Sequence, residues 1–413
     1  MADRVHARTL DNGLAVLVEP IDGLASAAMR LSIPAGAAVD PAGRLGASNV
    51  LAECVWRGAG GRDSRTLLGD LDRLGLHRGS GAGVRRTTFA ASGLPEAVAA
   101  ALPIYADVVR RPHLDDDALP PARDLALQAL AGVDDDPGHR MGITLSEWFW
   151  PSPLGRNPMG DPAHLAKLTP DAIRHHHAAT YRPHGSILAV AGNVDADVIN
   201  AQVEALFGDW TAPPADEHKT FPPPGPRKHV TMDSEQTHIG LAFPIDPPDS
   251  PDYYLARLAV EVLGGGSSAR LFTELREKRG LCYSVGAGYA HTVTHAGVFA
   301  SVATTPDRAA DGLAALGDEL DRWHAGVTDA ELHRARTGLL SATIMAGDST
   351  ASRCATLADD PHTLGRVRGL DEIGDAIRGV TLDALNDYLN RLGDPRPPRT
   401  LITVGPDDPS PDV

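Results

Sequence analysis

The chain repeats one glycine-rich pattern at two positions about half its length apart. Residues 74–83 read LGLHRGSGAG and residues 279–288 read RGLCYSVGAG, so that Gly-Leu and Gly-Ala-Gly coincide. Each copy runs into a Phe-Ala pair and then into a helical segment that starts at a proline. Each half also ends on a short apolar strand closed by glycine, at 187–192 and 401–405. Because the matches occur in the same order, they predict a duplicated domain.

A proline-rich stretch divides the chain almost in half. The sequence has 413 residues, which fits two domains of about 200 residues better than one. Residues 213–227 are rich in proline, which lacks the N–H that a helix or an inner strand needs. We therefore predict an N-terminal domain at 1–212, an extended connector at 213–227 and a C-terminal domain at 228–413.

Strand and helix patterns are mixed within each half. Residues 14–18 and 28–33 have the apolar, turn-bounded pattern of strands. Residues 94–109 carry apolar side chains at helical spacing, and residues 170–177 read as a helix for which Thr169 is the expected N-cap. Helices fall between hairpin-like strands and do not alternate with them one for one. The predicted fold class is α+β, with two tandem homologous domains, each a largely antiparallel sheet with helices packed on one face.

Charge and composition exclude several classes of partner. A phosphate-binding surface needs clustered Lys and Arg, so the net charge of -16 argues against nucleic acid as a partner. No apolar run approaches the roughly 18 residues that span a bilayer, and the first residues lack the apolar segment of a signal peptide. Cys54, Cys282 and Cys354 are odd in number and widely spaced, which favours a reducing compartment. We therefore predict a cytoplasmic protein that binds neither nucleic acid nor membrane.

The most informative local motif lies at residues 46–58, which read GASNVLAECVWRG. The pattern H-x-x-E-H places two histidines and a glutamate on one helical face in inverzincin zinc peptidases. Here the same positions hold Asn49, Ala52 and Glu53. Asn49 is a neutral amide, Ala52 has no ligand atom, and one carboxylate does not hold zinc in water. On these residues alone, an ordinary buried helix with Glu53 at its edge is the favoured interpretation.

Segments along almost the whole chain resemble the pitrilysin/insulinase-type zinc peptidases, the class of mitochondrial processing peptidase. Residues 9–18, TLDNGLAVLV, are similar to the first strands of that family, and residues 56–58 stand at its F-K-G-T-like exit from the zinc helix. The loop at 153–160 and Tyr-Arg-Pro at 181–183 resemble its mid-domain elements. The longest match is residues 267–285, SSARLFTELREKRGLCYSV. The matches follow the order of the family.

The resemblance implies a third zinc ligand, a glutamate on a later helix. The corresponding stretch reads ARDLALQAL at 122–130, which puts Ala129, or at best Gln128, at the ligand position. With Asn49, Ala52 and Glu53, all four chemical positions then lack the family's groups. We therefore predict that this chain binds no metal cofactor and is inactive as a hydrolase on its own.

The resemblance also implies a role for Arg276 and Tyr283. In the family this pair reaches the zinc site of the other half, binds substrate backbone and stabilises an oxyanion. A guanidinium and a phenol are suitable donors toward a developing negative charge. The alternative is that Arg276 pairs with a neighbouring carboxylate and that Tyr283 packs in the core.

Some members of the family consist of two single-length chains, of which one carries the zinc helix and the other supplies the arginine and the tyrosine. This chain resembles the second kind. We expect a non-catalytic subunit of a heterodimeric zinc metallopeptidase that closes half of a peptide chamber for a homologous H-x-x-E-H partner, with zinc in the partner. The alternative is an inactive homologue that serves as a structural or peptide-binding scaffold. An unrelated new active site is a third hypothesis, but the sequence offers no nucleophile–base pair for it.

Two further motifs favour structural roles. His175, His176 and His177 are consecutive, so at most two share a helical face, and a solvated helix is the prediction. The run at 264–266, Gly-Gly-Gly, lacks the lysine of a phosphate-binding loop and predicts a turn before a helix.

Overall fold

The computed structural model describes residues 5–213 and 220–409. Their fold contains two large mixed sheets. The first sheet has the strand order β1-β2-β8-β3-β7-β6. Only the β2–β8 pair is parallel, and its other pairs are antiparallel. Strands β4 and β5 form a separate two-stranded antiparallel ribbon. These strands are β1 His6–Thr9, β2 Ala15–Pro20, β3 Ala27–Ile33, β4 Gly58–Ala59, β5 Arg62–Asp63, β6 His77–Ala82, β7 Thr87–Gly93 and β8 Ile187–Gly192.

The second sheet repeats the first, apart from the additional edge strand β1. Its strand order is β11-β12-β10-β13-β9, and only the β13–β9 pair is parallel. Each strand therefore has a counterpart in the first sheet, and β6 and β11 are the corresponding edge strands. The predicted duplication and the α+β fold class are confirmed. These strands are β9 Arg227–Thr231, β10 Thr237–Ile245, β11 Ser284–His291, β12 Ala296–Thr304 and β13 Thr400–Gly405.

Helices follow the strands in a similar order in both halves. The first half contains α1 Ala47–Cys54, α2 Ser64–Arg73, α3 Pro95–Arg110, α4 Leu119–Asp134, α5 Pro137–Phe149, α6 Pro162–Leu165, α7 Pro170–Thr180 and α8 Ala196–Phe207. The second half contains α9 Tyr253–Gly264, a π-helical segment Phe272–Lys278, α10 Ala309–His324, α11 Asp329–Gly347, α12 Thr350–Leu364, α13 Leu370–Gly379 and α14 Leu382–Gly393.

Successive side chains along each strand point to opposite faces of the sheet, and both faces are apolar. In β2 and β8 the side chains of Val16, Val18, Leu188 and Val190 join the main core of the first sheet. Their neighbours point to the opposite face, because successive strand residues alternate. All six residues of β8 are buried. A sheet buried in this way needs helices on both faces.

The second face of each sheet is covered by a helix from the other half of the chain. Cys354 of α12 donates to the carbonyl oxygen of Ala28 in β3, with a sulphur–oxygen distance of 3.0 Å. In the second sheet, Met141 and Leu145 of α5 pack on Ala242 of β10. A Cβ on Gly240 would lie 2.1 Å from Met141 Sδ, so this glycine permits the close approach of α5.

The chain accordingly divides into two compact units that are not contiguous halves. Unit 1 comprises Met1–Gly132, Ser152–Phe221 and Ala346–Pro361. Unit 2 comprises Val133–Pro151, Pro222–Met345 and His362–Val413. The exchanged segments follow α4 in the first half and α11 in the second. The internal repeat predicted the two sheets, but it gave no indication of this exchange.

Several local predictions are confirmed by the element bounds. Thr169 caps α7, because its hydroxyl accepts from the N–H of Ala172 at 3.2 Å. In the glycine run at 264–266, Gly264 ends α9, and Gly265 and Gly266 form the bend that follows it. Residues 214–219 of the predicted connector lie outside the described residues, whereas Phe221 forms a β-bridge with Ser152. Within the described ranges, no helix combines the length and the apolar character that crossing a bilayer requires.

Candidate functional site

Helix α1 carries the three predicted zinc-motif positions, Asn49, Ala52 and Glu53. Asn49 is partly exposed, and Ala52 is buried with 4% of its surface accessible. Glu53 accepts a hydrogen bond from Arg57 Nη2 at 2.9 Å, one helical turn further on. The carboxylate is therefore engaged in an i,i+4 ion pair, and its neighbours at 49 and 52 have no group that would complete a metal site.

The start of α1 is held by a buried polar network. The Asp40 carboxylate accepts from the N–H groups of Gly46 and Ser48 at 2.7 and 2.9 Å. It also accepts from the Ser48 hydroxyl at 2.7 Å. Gly46 precedes the helix with a φ of 96°, a left-handed conformation that glycine adopts without strain. Asp40 thus satisfies two N–H groups that the first turn of a helix leaves free.

His176 of α7 completes this network. Its Nε2 atom lies 2.9 Å from Ser48 Oγ and 3.4 Å from Asp40 Oδ1. The pKa of His176 is lowered to about 4, chiefly by burial and also by the neighbouring His175 and His177, whereas burial raises the pKa of Asp40. His176 is therefore neutral near pH 7. Since Ser48 donates to Asp40, the hydroxyl oxygen is left to accept from Nε2–H of His176.

The predicted solvated helix is wrong for this histidine. His176 has 4% of its surface accessible, and His177 Nε2 lies 2.9 Å from the carbonyl oxygen of Val109. Only His175 of the three is exposed. Serine, histidine and aspartate are the residue types of a hydrolytic triad, but Ser48 is completely buried, so no substrate reaches its hydroxyl. The network instead anchors α1 to α7.

An open cleft of about 520 Å³ lies between the end of α1 and strand β6. It is lined by Glu53, Trp56 and Arg57 and by the first residues of β6. Trp56 Nε1 donates to Ser80 Oγ of β6 at 2.9 Å, which joins the helix end to the strand. Strand β6 is at the edge of its sheet and is largely exposed. Such an edge presents backbone groups with which an extended peptide can pair.

The predicted third ligand position lies on the outer face of α4. Gln128 and Ala129 are both exposed, whereas Ala126 and Leu130 of the same helix are buried. The end of α1 lies near the start of α4, because Cys54 Sγ is 3.6 Å from the carbonyl oxygen of Ala118. Among the residues that the structure describes, no group of three His, Cys, Asp or Glu side chains has the arrangement of a metal site.

Arg276 and Tyr283 lie together at the surface of unit 2. The Arg276 guanidinium carbon is 5.3 Å from the ring centre of Tyr283 and 4.8 Å from that of Phe272. Tyr283 has 74% of its surface accessible, so it is not a core residue. In the described part of the chain Arg276 has no carboxylate partner. Two aromatic rings therefore orient its guanidinium by cation–π contact and leave its N–H donors free.

Comparison with known proteins identifies the family of this chain. The family described as Insulinase (Peptidase family M16) matches residues 16–161, and the description Peptidase M16 inactive domain matches residues 167–339. The chain belongs to peptidase family M16. The two matches follow one another along the chain, and the second begins at residue 167, before the connector between the two halves.

Other M16-like proteins align with this chain over nearly its full length. A Rickettsia felis protein named as an uncharacterized zinc protease is 27% identical over 99% of both chains. A Mycobacterium bovis protein of the same description is 28% identical over 93% of this chain and 90% of its own.

A crystal structure of a peptidase M16 inactive domain from Pseudomonas fluorescens has the same fold, with a TM-score of 0.87 and 23% identity. The alignment covers 98% of each chain.

M16 membership does not by itself assign a role to single residues. The alignment of Asn49, Ala52, Glu53 and Ala129 with zinc-site positions stays a prediction, as does the role of Arg276 and Tyr283. The Asp40–Ser48–His176 network was not predicted, because His176 is 128 residues from Ser48. The only sequence signal was a histidine on the apolar side of α7.

Proposed function

We propose that this M16 chain is the non-catalytic subunit of a heterodimeric zinc metallopeptidase. The observation that carries the proposal is the contrast between α1 and the π-helical segment. Asn49 and Ala52 cannot bind zinc, whereas Arg276 and Tyr283 are exposed and mutually oriented. The zinc and its activated water then belong to a homologous partner with an intact H-x-x-E-H helix.

The chemistry divides between the two chains. A peptidase needs a metal-bound water whose pKa is lowered, and at least three protein ligands hold such a zinc. This chain supplies donors instead. The guanidinium of Arg276 and the phenol of Tyr283 bind the substrate backbone and stabilise the negative charge that develops on the scissile carbonyl oxygen.

The proposed substrate is a peptide in an extended conformation. An edge strand such as β6 adds a peptide strand through backbone hydrogen bonds, with little dependence on sequence. In this proposal the chain also contributes half of a chamber in which the peptide is enclosed. The names of the two relatives as zinc proteases agree with a proteolytic setting.

Reconstitution tests the proposal. The native protein is purified with whatever elutes with it, a bound H-x-x-E-H homologue is identified by mass spectrometry, and peptide cleavage is measured for each chain and for the mixture. We expect activity only in the mixture and zinc only in the partner. Full activity of the partner alone would contradict the proposal.

Substitution of Arg276 gives the sharper measurement. In the reconstituted complex, Arg276→Ala is expected to lower kcat by about 100-fold, because removal of one oxyanion donor typically has an effect of that order. Lys278→Ala is the matched control, since Lys278 lies on the same segment and pairs with Glu274. If Arg276→Ala leaves the activity of the complex unchanged, the scaffold alternative is favoured.

A further inference from the structure

Unit 2 contains a second concave site, an apolar cleft of about 460 Å³ at one end of its sheet. Its volume is within the range of small-molecule sites. The walls are built largely from aromatic and proline side chains. They include Phe149, Trp150, Pro226, Pro244, Pro398 and Arg399.

The aromatic wall of the cleft is a packed cluster. The ring centres of Phe149 and Trp150 are 4.6 Å apart, and those of Phe149 and Phe299 are 5.2 Å apart. Both contacts are edge-to-face, the arrangement that aromatic rings prefer. Proline fixes its own backbone angle, so the opposite wall has little freedom. The cleft therefore offers ordered aromatic and proline surfaces to an apolar group.

Arg399 brings an incompletely compensated positive charge to this wall. Its Nε and Nη2 atoms are buried without a hydrogen-bond partner, which leaves Nη1 as the nitrogen that solvent reaches. The nearest carboxylate oxygen, Asp321 Oδ1, is 3.8 Å from Nη2. The same Asp321 carboxylate pairs more closely with Arg396, at 2.9 Å. The Asp321 carboxylate is thus shared between the guanidinium groups of Arg396 and Arg399.

No Asp or Glu is among the described residues that line the cleft. Burial lowers the pKa of Arg399, which reflects the cost of a charge held in apolar surroundings. That cost falls when an anion approaches the guanidinium, because buried charges are stable only when they are paired. An apolar site with one underpaired cation is complementary to an apolar ligand with one anionic group.

We infer that this cleft binds a small aromatic carboxylic acid, with its ring against Phe149 and Trp150 and its carboxylate on Arg399. The inference is independent of the proposed peptidase role, since it uses neither α1 nor the Arg276–Tyr283 pair.

Calorimetric titration of the full chain with 2-naphthoate and with 2-naphthamide tests this site. The amide has the same ring and nearly the same shape but no charge. We expect saturable binding of the acid and roughly tenfold weaker binding of the amide. The loss of a hydrogen bond to a charged group typically weakens binding by about that factor.

Two substitutions of Arg399 test whether its guanidinium, and not the general positive charge of the protein surface, binds the carboxylate. Arg399→Met keeps the apolar stem and is expected to remove the preference for the acid over the amide, whereas Arg399→Lys retains part of it. Arg378→Met is the matched control and should leave binding of the acid unchanged, because Arg378 is exposed, pairs with Asp375 and does not line the cleft. Thermal unfolding checks that each variant is folded.

Absence of saturable naphthoate binding to the folded chain would overturn the inference. Equal affinity for the acid and the amide would do the same, as would full retention of acid binding in folded Arg399→Met.

Discussion

Three buried side chains, Asp40, Ser48 and His176, determine how the first turn of α1 is held. Ser48→Ala removes a donor to Asp40 and leaves Nε2 of His176 without its acceptor. We expect the free energy of unfolding to fall by about 1–3 kcal/mol, the usual cost of an unsatisfied buried polar group. Urea denaturation measures the change. The control, Ser341→Ala at an exposed position of α11, should alter stability by less than about 0.5 kcal/mol.

The same histidine gives the protein a pH-dependent stability. Its pKa is lowered from 6.5 to about 4 in the folded protein, so the unfolded chain binds more protons between these values. Neutral His176 therefore makes its full contribution to the free energy of unfolding above pH 6.5. As the pH falls from 6.5 toward 4, protonation of the unfolded chain lowers that free energy by about 3 kcal/mol. Asp40, whose pKa burial raises, binds its proton more readily when folded and offsets part of this loss.

Urea midpoints measured from neutral pH down to mildly acidic pH test this dependence. The decrease in stability with falling pH should be smaller in His176→Gln than in the unmodified protein. His333→Gln, at an exposed position of α11, is the control and should keep the full decrease. An identical decrease in His176→Gln would show that other groups dominate acid destabilisation.

Among the elements, α12 depends on a buried ion pair. Arg353 donates from Nε and Nη2 to the two carboxylate oxygens of Glu19 in β2, both at 2.9 Å. The two side chains retain 4% and 10% of their accessible surface. Arg353→Met leaves Glu19 buried without its partner and is expected to lower the free energy of unfolding by about 3–5 kcal/mol.

A second substitution distinguishes the loss of pairing from loss of packing. In the double variant Glu19→Leu/Arg353→Met the unpaired charge is gone, so most of the stability should return. The exposed pair Arg378–Asp375 supplies the control, and Arg378→Met should cost less than about 1 kcal/mol. If the double variant is as unstable as Arg353→Met, the charge is not the cause.

At the scale of the whole molecule, the exchange of α5 and α12 links the two units through the chain itself. Each unit contains a segment from the other half. We therefore expect that cleavage at a protease site inserted in the connector will leave the two fragments associated. Gel filtration before and after unfolding in urea tests this, with complete separation of the fragments under native conditions as the contradictory result.

The sequence alone determined the duplicated α+β architecture and the M16 family. Periodicity, turn residues and the Gly-Ala-Gly repeat are local properties, and the sheets follow them closely, as at residues 187–192. It also placed Asn49 and Ala52 at zinc-motif positions of the family, an assignment that stays a prediction.

Only the tertiary structure decided which distant residues meet. Nothing local marks Glu19 as the partner of Arg353 or Ser48 as the partner of His176, since these pairs are brought together by the packing of α12 and α7. The exposure of Tyr283 and the apolar cleft beside Arg399 likewise depend on what the fold covers. Burial is a property of the packed chain and not of a residue, which is why the histidine run was predicted to be solvated and was found to be largely buried.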